Sequence, residues 1–135
     1  KIHVFGLDSS NSKMVSKFFK KINDKDTLKY FDVIIDDGSH KQSDQLSTLN
    51  HFYEYLVDGG FYVIEDYKFP NYFKHLNDVN DIKIDELVDY ILKKKSFSSS
   101  LVSSKVTNLL LDTINNVYKY KGNTDISDIV FFEKN

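Results

Sequence analysis

Three short apolar runs in this chain end in carboxylates. Ile2–Leu7 runs into Asp8, Phe31–Ile35 into Asp36-Asp37-Gly38-Ser39-His40, and Phe61–Ile64 into Glu65-Asp66. Runs of this length read as strands, and in open α/β sheets ligands sit beyond the carboxyl ends of the strands. If the second and third runs are neighbours, their ends lie ~4.8 Å apart. Asp36, Asp37, Glu65 and Asp66 then crowd one rim together with the His40 imidazole. Carboxylates that close raise one another's pKa or need a cation between them. The chain has no cysteine, and oxygen ligands without thiolates favour a hard ion such as Mg²⁺, Ca²⁺ or Mn²⁺. Plainer readings stand beside this one. Asp36-Asp37-Gly38 is also a turn sequence, Asp66 could cap a following turn, His40 could be a polar residue in the first turn of a helix, and Asp8 could cap its own loop.

The elements that must position these groups alternate. After Asp8, the apolar residues Met14, Val15, Phe18, Phe19 and Ile22 recur at helical spacing, with Asn11 or Ser12 as the cap. The Phe31–Ile35 run is continuous rather than alternating, which suits a parallel strand covered on both faces. Ser39-x-x-Gln42 has the form of a capping box. It opens a helix whose stripe is Leu46, Leu49, Phe52, Tyr53 and Leu56, with Asp58-Gly59-Gly60 as its stop. Further helical stripes are Ile84, Leu87, Val88, Ile91 and Leu92, then Val106, Leu109, Leu110 and Ile114. Lys93–Ser104 reads as an exposed loop, and Val117–Tyr120 and Ile129–Phe132 as two final strands. The order β-α-β-α-β-α-α-β-β predicts an α/β sheet, parallel at its centre, with an antiparallel edge at the C-terminal strands.

The stretch Phe31-Asp-Val-Ile-Ile-Asp-Asp-Gly-Ser-His40, followed by Asp58-Gly-Gly-Phe-Tyr-Val-Ile-Glu-Asp66, resembles the macrocin O-methyltransferase and cephalosporin hydroxylase-like group of class I S-adenosylmethionine-dependent methyltransferases. Gly6-Leu7-Asp8-Ser9-Ser10 is similar, more weakly, to that group's loop after its third strand. The resemblance covers about the first half of the chain; residues 67–135 match in general layout. It implies a Rossmann-like fold, S-adenosylmethionine as methyl donor and a Mg²⁺-like cation. It also implies roles. Asp37, Glu65 and Asp66 would hold the metal, and His40 would be the general base that takes a hydroxyl proton. Asp8 would approach the adenine end of the donor, and Asp36 would be a further ligand or support the loop at the cofactor. The acceptor would be a sugar or glycosylated small molecule. Two readings compete with this O-methyltransferase: an inactive binding or assembly module of the same fold, and a hydroxylase-associated member of the same group.

The chain departs from the group in two respects, one being that it lacks the acidic residue after the second strand that holds the donor ribose. The glycine-rich loop that grips the donor has no counterpart, since the five glycines at 6, 38, 59, 60 and 122 form no Gly-x-Gly. On that reading 1–135 is a single methyltransferase-like domain lacking its N-terminal strands, and the piece alone should bind donor weakly or not at all.

Bulk properties narrow the remaining classes. With 18 basic and 20 acidic residues the net charge is −2, which offers no electrostatic footprint for nucleic acid or an anionic membrane. No apolar run approaches the ~18 residues of a membrane span. A cytoplasmic protein acting on a small molecule is the expectation, with a homo-oligomer allowed. Lys93-Lys94-Lys95 reads as a solvated face, and His3, His51 and His75 as surface or satisfied histidines. Tyr67, Phe69, Tyr72 and Phe73 cluster past the candidate site, as packing or as an acceptor pocket.

Overall fold

The computed structural model describes residues 2, 4–23 and 31–135. It is an α/β structure in which helices cover a four-stranded mixed sheet. The elements run α1 (Ser12–Asn23), β1 (Phe31–Asp36), α2 (Gln42–Phe52), a 3₁₀ turn (Tyr53–Tyr55), β2 (Leu56–Glu65), α3 (Phe69–Tyr72), α4 (Ile84–Leu92), α5 (Ser104–Thr113), β3 (Ile114–Lys121) and β4 (Asp128–Lys134). The sheet order is β1-β2-β4-β3. Only β1 and β2 are parallel; β4 runs antiparallel to β2 and to β3. The two C-terminal strands therefore form the expected antiparallel edge, while the parallel part is a single pair.

Register decides which side chains share a face. Ile34 pairs with Tyr62 and Asp36 with Ile64, and Tyr62 and Ile64 pair onward with Phe132 and Val130. Tyr62, Ile64, Phe132 and Val130 are all fully buried, in one cluster with Leu46 and Leu49 of α2, Leu87 and Ile91 of α4 and Leu110 of α5. The opposite face of β1 is open: Val33 is 52% and Ile35 61% exposed. Cover on both faces, expected from the continuous apolar run, is thus absent at β1 among the described residues, because the main core cluster lies on the other side of the sheet.

Helix α1 starts as expected, with the Asn11 side chain accepting from the backbone N–H groups of Lys13 and Met14. Val15 and Phe19 are its buried positions, and Phe19 stacks on Tyr55 with ring centroids 3.6 Å apart.

Three local expectations are corrected. The Ile2–Leu7 run is not a strand in the described residues, and Ile2 and Val4 are 91% exposed. An apolar run becomes a strand only through ladder bonds to a neighbour, and β1 pairs with β2 alone; Lys1 and His3 lie outside the described residues. The capping box does not form, since Lys41 precedes α2 without a side-chain cap bond. Ser39 Oγ instead donates to Asp44 Oδ2 and accepts from Lys41 N–H. Finally, Asp58-Gly59-Gly60 does not stop α2. That helix ends at Phe52, the 3₁₀ turn follows, and the glycines lie inside β2 where the register with β1 shifts between Phe31 and Val33. Gly59 takes φ 77°, and a Cβ on Gly60 would stand 2.8 Å from the Asp32 carbonyl oxygen. Close approach of two backbones is what requires glycine here.

Candidate active site

The Asp36–Ile64 pairing sets the loop after β1 beside the turn after β2. Each of these connections contains one residue in the left-handed region, His40 with φ 58° and Asp66 with φ 50°. Such conformations are strained for side chains with a Cβ and persist where the surroundings fix them. At Asp66 the fixing bonds are visible: its carbonyl accepts from Phe69 N–H at 2.9 Å, and its Oδ1 accepts from Ser127 Oγ at 3.0 Å. The other carboxylate oxygen faces the imidazole, with His40 Nε2 4.0 Å from Asp66 Oδ2. The same nitrogen lies 3.9 Å from Asp37 Oδ1. Phe69 closes one side of the imidazole edge to face, with ring centroids 5.1 Å apart.

Helix α2 anchors the far end of the His40 loop. Gln42 N–H donates to the Leu76 carbonyl at 2.8 Å, and its side-chain amide donates to the Asp81 carbonyl at 2.6 Å. Ser43 donates from its backbone and hydroxyl to the Asp78 carboxylate. The 73–82 segment thus holds the start of α2, although nothing in its sequence marks it as part of a site.

Asp36 differs from the other carboxylates. It points to the helix-covered face, and burial lifts its carboxyl from 3.8 to about 6, against the lowering effect of the Gly38 N–H bond. Its Oδ2 and the hydroxyl of fully buried Tyr62 both lack a hydrogen-bond partner. A Cβ on Gly38 would come within 3.1 Å of Asp36 Oδ1. Asp36 therefore supports the inside of the loop. Glu65 pairs with Ile129 and is half-buried on the opposite face from Asp36, with no hydrogen bond or ion pair to another described residue.

Asp8 stands in the turn before α1. Its Oδ1 accepts from the Ser10 hydroxyl at 2.7 Å and the Ser10 N–H at 3.0 Å, which hold its pKa below the usual value. The loop-cap reading describes these contacts, and no hydrogen bond or ion pair joins Asp8 to the strand-end groups. The next residue ties this turn to α2, through Ser9 Oγ to Thr48 Oγ1 at 2.9 Å and the Ser9 carbonyl to His51 Nδ1 at 3.0 Å. His51 is thus a satisfied histidine. Of the aromatic cluster, Tyr67 is buried in the core, Phe69 packs on His40 and on Phe73, and Tyr72 is exposed.

The donors suit a hard divalent cation in kind, since carboxylate oxygens predominate. In position, Asp37 and Asp66 converge on His40 Nε2, whereas among the described residues no three His, Asp or Glu groups stand close enough to hold an ion. Binding one would require these side chains to turn from the imidazole toward the ion. Ser127, Phe69 and Tyr62 are the site neighbours that sequence reasoning missed in these roles. Contacts across the sheet leave no trace in local spacing.

No family model matches the chain. A 36-residue segment, 27% of the chain, is 53% identical to L-olivosyl-oleandolide 3-O-methyltransferase of Streptomyces antibioticus and covers 9% of that protein. Among solved structures, the MycE methyltransferase from the mycinamycin biosynthetic pathway, in complex with Mg, SAH and mycinamycin VI, superposes with a TM-score of 0.65 at 21% identity. The match covers 98% of this chain and 32% of that one. A second MycE structure, with Mg and SAH, gives 0.63 at 17% identity over 94% of this chain and 30% of that one. The chain thus spans about a third of the length of the solved structures it matches. At such identity the structural likeness is one of fold. The segment is thus similar to part of a sugar O-methyltransferase, and the fold is similar to part of a methyltransferase solved with Mg and SAH.

Proposed function

We propose that this chain carries the acceptor-activating part of an S-adenosylmethionine-dependent O-methyltransferase that acts on a sugar or a glycosylated small molecule. The observation that carries the reading is the position of His40 Nε2, within 4.0 Å of carboxylates from two adjacent strand ends. A base so placed can accept a hydroxyl proton from an acceptor seated at the rim, with a carboxylate on each strand end facing the ring. Phe69 restricts the ring on one side, and the Ser127 bond keeps Asp66 from swinging away. When bound, the donor would supply the methyl group to that oxygen, its carbon–sulfur bond breaking and the thioether S-adenosylhomocysteine leaving, while His40 keeps the proton. Asp37, Glu65 and Asp66 would hold a Mg²⁺-like ion, which when bound supplies Lewis-acid polarisation and orientation of the acceptor hydroxyls. Asp36 would support this loop at the cofactor, and Asp8 would meet the adenine end of the donor. The name of one matched protein, L-olivosyl-oleandolide 3-O-methyltransferase, supports the sugar acceptor, and the other was solved with mycinamycin VI.

A binding or assembly module of the same fold is the second reading. It draws on the absence, among the described residues, of three groups at metal-holding distance. Calorimetric titration of S-adenosylmethionine into the full-length gene product, with and without Mg²⁺, separates the two. The enzyme reading requires binding, and methyl transfer that falls by about 10²–10⁴ in His40→Ala. A folded full-length protein that binds no donor leaves the module reading in its place.

A further inference from the structure

Beyond the strand-end site lies a cleft of about 570 Å³, bounded by the residues after β2, the first turns of α4, the end of β3 and the start of β4. That volume is in the range of small-ligand pockets. Its lining is unusual in composition: four carboxylates, three lysines and two tyrosines. An anion entering it would meet the carboxylates, and a cation the lysines. A neutral ligand with several hydroxyls meets both acceptors and donors, and tyrosine rings can pack against the C–H face of a pyranose.

Two carboxylates sharpen the point. Asp128 is 4% exposed; its Oδ1 is 3.4 Å from Lys68 Nζ, and its Oδ2 has no partner. Asp85 is similar, with Oδ2 accepting from Asn71 Nδ2 at 2.8 Å and Oδ1 unpaired. A shielded carboxylate oxygen without a donor is costly and usually signals a missing partner. Two such residues on one cleft leave two places where a ligand hydroxyl would complete the bonding. The cleft is also coupled to the strand-end site. Tyr67 and Lys68 follow Asp66 directly, and Ser127, which holds Asp66, is followed by Asp128.

We propose that this cleft is a subsite for a neutral polyhydroxylated ring, the part of a glycosylated acceptor that is bound but not methylated. Asp85 and Asp128 accept its hydroxyls, Lys68 donates to it, and Tyr120 packs against its apolar face. The identification as part of an acceptor rests on the methyltransferase reading; the binding of the ring does not.

The test uses no methyl donor and no metal, so its failure is separable from a failure of that reading. Methyl α-D-glucopyranoside is titrated to millimolar concentration into isotopically labelled protein, and amide shifts are followed by NMR. Saturable shifts are expected at Tyr67, Lys68, Tyr120 and Asp128. Tyr120→Ala, a change at a 56%-exposed ring, should weaken them about two- to tenfold through the lost ring contact, with the amides of α2 and β1 unmoved. Asp85→Asn should weaken them in the same direction. No saturable shift at the cleft overturns the proposal. So do shifts confined to Asp37–His40 and Glu65–Asp66, and so does an equal response of the cleft to sulfate or tetramethylammonium.

Discussion

His40 and Asp66 sit at the ends of adjacent parallel strands, both with positive φ, and bring Nε2 and Oδ2 to 4.0 Å. Asp and His tolerate that backbone better than most residues but still with a cost that glycine escapes, so two strained turns hold one contact. His40→Gly should relieve the strain while removing the imidazole. It is expected to be more stable than His40→Ala by about 1 kcal/mol, with methyl transfer lowered by about 10²–10⁴ in both. Chemical denaturation of the two variants checks this, and equal stabilities would mean that the turn is not strained.

Tyr62 offers a second check on the support beneath Asp36. Its hydroxyl is fully buried beside that carboxyl without a partner, and burial pushes its pKa well above the usual 10. Tyr62→Phe removes an unsatisfied group and should raise stability by about 1 kcal/mol. A loss of that size would show that the hydroxyl has a partner, such as a buried water.

Gly60→Ala is expected to destabilise by about 1–3 kcal/mol, because the added Cβ meets the carbonyl oxygens of Asp32 and Val57 at 2.8 and 2.9 Å. The shift would propagate along β1 to the His40 loop. Amide exchange at Asp36 and Gly38 should therefore quicken more than exchange in α5.

Asp81 links the 99–100 loop to α2. Its carboxylate accepts from Ile82 N–H, Ser99 Oγ, and both the N–H and hydroxyl of Ser100, while its carbonyl accepts from Gln42. Partial burial pushes its pKa up, but the bonds from Ser100, Ile82 and Ser99 outweigh this and hold it below 3.8. A lowered folded pKa stabilises above the unfolded value and loses that contribution as pH falls through the folded one. Asp81→Asn should cost about 1–2 kcal/mol at pH 7, and the gap to the parent protein should close below pH 3.8. Denaturation at pH 7 and pH 3 measures both.

What could be read from the sequence was what local spacing encodes. The runs Phe31–Ile35 and Phe61–Ile64 announce strands, of which the second is the more buried, and their carboxylate ends mark a rim. Asn11 is legible as a cap because its bonds reach only two and three residues onward. The final strand pair was legible from two apolar runs around a turn. Ile2–Leu7 misled because apolar content does not reveal whether a partner strand exists. Asp58-Gly59-Gly60 misled because glycine serves helix ends and close strand approaches equally. Ser127 on Asp66 and the one-sided cover of β1 depend on tertiary packing, which no window of sequence contains.

The proposed enzyme needs the strand-end carboxylates beside His40 to take up a divalent cation. Titrating Mn²⁺ into labelled protein and following paramagnetic broadening tests that claim most directly. Broadening is expected first at Asp37–His40 and Glu65–Asp66, and it should be abolished by Asp37→Asn combined with Asp66→Asn. Broadening centred on Asp85, Glu86 and Asp89, or none at substoichiometric Mn²⁺, would contradict the claim.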